Sequence, residues 1–98
     1  MDIENEVKEA LKQMENKFSS HDFIKKFSSM FQKKYIELLY NYKNENEPFQ
    51  VVHSQIGRFL ERNAQVLGIK KSEKQESKKT ESENIFGNIN KVQQWEKF

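Results

Sequence analysis

Apolar residues in this chain fall in blocks with helical spacing, and the clearest block runs from Pro48 to Ile69. There Phe49, Val52, Ile56, Phe59, Leu60, Ala64 and Leu67 recur every three or four residues, which places them on one stripe of a helix. Pro48 suits a first helical turn, where its missing N–H is not needed. Gly68 followed by Ile69 reads as a left-handed C-terminal cap, with the Ile folding back on the last turn. Gln55, Arg58, Glu61, Arg62 and Gln65 occupy the polar face. The start has two readings: one continuous helix, or a separate turn over residues 49–53 with Ser54 capping the remainder. Gly57 costs about 1 kcal/mol relative to Ala inside a helix. A close helix crossing is the expected reason, and a kink is the alternative.

Three shorter blocks precede it. In Asp2–Asn16, Ile3, Val7, Ala10, Leu11 and Met14 form one stripe, and Asp2, Glu4 and Glu6 sit where the helix dipole favours negative charge. A helix of this length needs its stripe docked, on the core or on a partner. Ser19-Ser20-His21-Asp22 has the form of a capping box, so a second helix is expected from there to about Phe27. A third is expected over about Ser29–Lys43, with Ser28-Ser29 as the break, unless the two are continuous. Its stripe is Phe31, Tyr35, Leu38, Leu39 and Tyr42; Ile36 and Tyr40 form a second, offset stripe. Two stripes predict a central helix packed against more than one neighbour.

After Ile69 the pattern changes. Lys70–Asn84 contains no aliphatic or aromatic residue, which predicts a solvated charged linker, in part an extended wing or a frayed helix. Asn84–Phe98 turns apolar again. Ile85 and Phe86 precede Gly87, a natural turn point, and Val92, Trp95 and Phe98 at three-residue intervals predict a short terminal helix. The expected organisation is a helical domain over 1–69, a linker over 70–84, and a C-terminal segment over 85–98 packed back through Trp95. The fold class expected is all-α, a small bundle of three to four helices.

Composition adds limits. The chain has 98 residues, enough for one modest core. A charged fraction of 33% and a mean hydropathy of −0.99 leave part of it unlikely to pack. There is no Cys, so disulfides, thiolate zinc sites and cysteine nucleophiles are excluded. No apolar run approaches the roughly 20 residues that span a bilayer, and the acidic, amphipathic start is unlike a signal peptide. A soluble cytoplasmic protein with no membrane partner is expected. The net charge of +2 hides a split. Residues 1–16 hold two Lys against five acids, whereas residues 17–43 hold six Lys against two acids. Residues 48–71 hold four basic residues against one acid. A basic middle fits either a nucleic-acid face or pairing with the acidic first helix.

The candidate chemistry is sparse. His21 and His53 are the only groups that titrate near neutrality, and they lie far apart in sequence. Neither HxxxH nor HExxH spacing is present, the three glycines are isolated, and no G-x-S-x-G occurs. No catalytic residue, metal ligand set or cofactor is expected, so the chain reads as a non-enzyme.

The helix, polar turn and helix of Ser19–Ile69 resemble helix-turn-helix and winged-helix modules. The Ile56, Gly57 and Leu60 set resembles the short Ile-Gly-x-x-Leu helix of LOTUS-type domains. The turn after Tyr42 is longer than a helix-turn-helix turn, and only Lys70–Phe86 could supply a wing. The resemblance implies a recognition helix exposing Ser54, Gln55, Arg58 and Arg62, residue types suited to base edges and phosphates. Lys25, Lys26, Lys33, Lys34, Lys70 and Lys71 would then contact the backbone. Two functions are carried forward. One is a nucleic-acid-binding or regulatory module using this basic face. The other is a protein-interaction adaptor acting through helix one or through Ile85, Phe86, Val92, Trp95 and Phe98. The sequence leaves the oligomeric state open.

Overall fold

The computed structural model describes residues 2–72 and 79–98. In chain order these form α1 (Glu4–Lys12), β1 (Lys17–Ser19), α2 (Ser20–Met30), α3 (Gln32–Asn41), α4 (Pro48–Arg62), α5 (Ala64–Leu67), β2 (Ile69–Lys71), β3 (Lys79–Glu83) and β4 (Ile89–Lys97).

Each N-terminal element stops where a side chain or a strand takes over its backbone groups. α1 buries Val7, Ala10 and Leu11, and Ile3 just before it is fully buried. It ends at Lys12 rather than at Asn16, because the chain must turn there into β1. The capping box is present in both directions: Asp22 N donates to Ser19 Oγ at 3.1 Å, and Ser19 N donates to Asp22 Oδ2 at 3.3 Å. α2 runs through Ser28-Ser29, and the break falls at Phe31, the only residue separating α2 from α3. α3 buries Tyr35 and Leu38 but leaves Ile36 62% and Tyr40 64% exposed. It therefore packs on one side only, and the expected second packed stripe is corrected to a solvent face.

The long Pro48–Ile69 stripe is realised as α4 and α5, joined at Asn63, with Pro48 in the first turn. Val52, Ile56 and Leu60 are fully buried. Gly68 closes α5 in the left-handed conformation at φ 76°, the cap expected there, and its N–H donates to Gln65 O at 3.2 Å. Ile69 does not fold back as a cap residue; it opens β2 with 1% exposure. Apart from its chain neighbours and its own helix backbone, Gly57 has no atom within 4 Å of where a Cβ would stand, so the expected close helix crossing is absent among the described residues.

The sheet overturns the all-α and helical-bundle expectation; the fold is α+β. β4 pairs antiparallel with β1 on one edge (Phe18 opposite Trp95) and with β2 on the other (Lys71 opposite Trp95). β3 forms an antiparallel hairpin with the first half of β4, from Lys79 opposite Gln93 to Glu83 opposite Ile89. Ser72 N donates to Gln94 O at 3.0 Å, and Asn84 N donates to Asn88 O at 2.9 Å. Carbonyls an even number of residues apart in a strand face the same edge, so β2 and β3 lie along one edge of β4. Residues 73–78 of the expected linker lie outside the described residues; its flanks belong to β2 and β3.

The physical reason is a coincidence of periods. Val92, Trp95 and Phe98 fit a helical spacing, yet only Trp95 of the three is in the core. Trp95 and Glu96 have a strand partner on each side, and those paired backbone groups outweigh a weak three-residue pattern. Trp95 is 2% exposed and donates through Nε1 to Ser20 Oγ at 3.0 Å. Around it the core gathers Ile3, Phe18, Phe23, Phe27, Ile56 and Leu60, so helices and sheet share one apolar interior.

Candidate functional site

The polar face of α4 survives as a surface. Ser54, Arg58 and Arg62 recur every four residues and are exposed, with Gln55 half-buried beside them. Ser54, Gln55 and Arg58 line one recess, and Arg58 and Arg62 line the next. Acidic side chains share both: Glu45 and Glu47 in the first, Glu61 in the second.

Of the lysines expected to extend this face, Lys71 is tied to it through Glu61, and Lys25 and Lys26 lie at another recess, with Asp22 and Glu15. Lys33 and Lys34 are on α3 and line none of these recesses. Lys70 and Lys71 are in β2, where Lys71 Nζ donates to Glu61 Oε1 at 3.4 Å and Lys70 Nζ lies 3.9 Å from Glu96 Oε1. Such exposed pairs add little stability, but each partly cancels the local positive charge. The basic face is thus narrower than expected and centres on Arg58 and Arg62.

The residues set aside for partner docking are divided by the sheet. Trp95 is in the core, Ile85 packs partly against it, and Val92 is half-buried in β4. Phe86 and Phe98 remain exposed, at 57% and 74%. The stripe of α1 is buried, so it is not offered to a partner.

A third surface is formed where three elements meet: the start of α2, the first half of α4, and the hairpin tip between β3 and β4. It is an open recess of about 680 Å³. The tip is a closed turn. Asn84 Oδ1 accepts from Phe86 N at 2.9 Å and from Asn88 N at 3.0 Å, and Gly87 sits at φ 83°. This side-chain mimicry of a backbone turn holds Phe86 out of the strand. The Phe86 ring meets Phe49 edge-on, with centroids 5.0 Å apart and planes at 86°. Phe49 in turn meets His53 edge-on at 6.1 Å, and His53 stacks on Tyr35 at 5.9 Å and 18°.

A 2.6 Å hydrogen bond joins the Tyr35 hydroxyl to His53 Nε2, its direction set by the imidazole tautomer. Burial pushes the Tyr35 hydroxyl up to about 12, so it stays protonated through the ordinary pH range. Burial also pushes His53 below its usual value, and the charge of His21 adds to this. Both histidines line the recess. They are remote in sequence, yet the fold brings both to one recess. Nothing in the spacing of residues 21 and 53 signals this. Among the described residues no group of three or more His, Asp or Glu side chains is placed to hold a metal ion.

No helix among the described residues is long and apolar enough to cross a membrane. No protein-family model matches the chain, and neither a curated protein nor a solved structure shows significant similarity to it.

Proposed function

We propose that the protein is a nucleic-acid-binding module of winged-helix type, with α4 as the helix presented to the ligand. The supporting observation is a juxtaposition. Ser54, Gln55, Arg58 and Arg62 share one face of α4, and the β3–β4 hairpin that follows α4 reaches back to its first turns through Phe86 and Phe49. A helix with Arg and Gln on its outer face, flanked by a hairpin, has the parts needed to contact phosphates and base edges together. The strand β1 between α1 and α2, paired with the second strand of that hairpin, also fits a winged-helix topology.

The test is binding of mixed-sequence DNA and RNA, duplex and single-stranded, by fluorescence anisotropy over a salt series. Phosphate contacts release counterions, so affinity falls steeply as salt rises. Arg58→Ala and Arg62→Ala should each weaken binding to all sequences and reduce the salt slope by about 1. Absence of binding at low salt overturns the proposal.

A second reading rests on a different groove, of about 410 Å³, whose exposed apolar side chains are Val66 and Phe98. Val66 is 70% exposed and Phe98 74%. Two exposed apolar side chains beside one groove suit a peptide with apolar anchors. Phe98→Ser together with Val66→Ser should abolish capture of such a peptide without altering nucleic-acid binding.

A further inference from the structure

The recess between α2, α4 and the hairpin tip has a different chemistry from the arginine face beside it. Among the described residues its lining contains no lysine or arginine, and Glu47 is the one carboxylate. The rest of its lining is dominated by neutral hydrogen-bonding groups and rings: His21, Gln50, His53, Asn84, Phe86 and Asn88. Such walls reject a phosphate and suit an uncharged heteroaromatic ring with donors and acceptors on its edge. Two further facts point the same way. The side-chain amides of Gln50 and Asn88 make no hydrogen bond among the described residues, so both are available to a ligand. The Phe86 ring is pinned by the Asn84 turn and touches Phe49 edge-on, yet is 57% exposed.

The recess is also continuous with the basic face. Glu47, Gln50 and Ser54 line both it and the recess that contains Arg58. A strand whose phosphates follow Arg62 and Arg58 along α4 therefore arrives at the polar recess near the start of that helix.

From these observations we infer that the recess receives one unpaired nucleobase of a single strand, stacked on Phe86 and read on its edge by Gln50 and Asn88. The inference rests on the nucleic-acid reading above and narrows it to a substrate class. Recognition of unpaired bases by aromatic stacking and amide hydrogen bonds is the usual route for single strands. A paired base keeps its edge and both faces inside the duplex and cannot enter.

The test uses a mixed-sequence strand of about 12 nucleotides, as RNA and as DNA, alone and annealed to its complement, and read by anisotropy with the full chain. The unmodified protein should bind the single strand at least about tenfold more tightly than the duplex, a gap in line with one stacked base. Phe86→Ala should cut single-strand affinity by about 5- to 150-fold, a larger loss than for the duplex, and leave the salt slope unchanged. Phe86→Tyr should restore it. Gln50→Ala with Asn88→Ala should erase differences among homopolymer strands while keeping the single-strand preference. A series with one abasic site moved along the strand should show a loss at one position, which serves as the decisive arm if Phe86→Ala lowers the melting temperature. Equal affinity for strand and duplex, or Phe86→Ala binding as the unmodified protein does, overturns the inference while leaving the arginine face intact. Failure to bind any nucleic acid overturns the proposed function and this inference with it.

Discussion

At the scale of single residues, Gly57 and His53 make opposite demands on the fold. Gly57 stands in mid-helix with open space where a side chain would be, and its backbone is not among the positive-φ glycines. Gly57→Ala should therefore stabilise the protein by about 1 kcal/mol, because Ala restricts the unfolded chain and favours the helix. Thermal unfolding should rise by about 4–8 °C. His53 has its pKa lowered in the fold, so the folded protein prefers the neutral ring. The unfolded chain binds that proton more readily. The stability contributed by the neutral ring is complete above the ordinary value of 6.5 and is lost as pH falls below it. Urea midpoints should drop between about pH 7.5 and about pH 5.5. His53→Gln can still hydrogen-bond Tyr35 but cannot titrate, so part of that drop should vanish in the variant. An identical drop in both proteins would place the acid sensitivity elsewhere.

At the scale of elements, what could be read from the sequence was what local chemistry decides. The capping box at Ser19 and Asp22, the Pro48 start and the Gly68 cap all act within a few residues, and each was legible. Ser19→Ala should cost about 1 kcal/mol through loss of the α2 cap, measurable as a lower urea midpoint with unchanged slope. The strands were not legible, because their cause is distant. β1 is three residues long and β3 has no apolar residue, so neither carries a pattern of its own. Each exists because β4 offers it a ladder. The α4 face could be read because one helix carries it, and periodicity alone assembles Ser54, Gln55, Arg58 and Arg62. The recess could not, because its walls come from three elements whose meeting depends on the sheet. The placement of the lysines was not legible for a related reason: composition counts charge but does not say which side of the fold it lands on.

At the scale of the whole molecule, stability depends on the docking of β4. Trp95 joins the helical core to both flanking strands, and its indole N–H is satisfied by Ser20, 75 residues earlier. Trp95→Ala should cost about 3–5 kcal/mol, a large share of the 5–15 kcal/mol typical of such domains. Trp95→Phe should retain much of the packing and lose mainly the hydrogen bond. Denaturant unfolding followed by circular dichroism separates the two outcomes. If Trp95→Ala unfolds at the same midpoint as the unmodified protein, β4 is dispensable and the fold described above is wrong.

The position of β4 also has a temporal side. A ribosome makes the helices before the strand that unites them, so Phe18 and Ile69 emerge before β4 can pair with β1 and β2. Until residues 89–97 clear the exit tunnel, the nascent chain carries a greasy seam and two unmatched strand edges. Assembly across so wide a gap in sequence is slow relative to helix formation. This protein should therefore need shielding by a holdase during translation, and stalling just before Ile89 should leave it open to proteases that the folded domain resists.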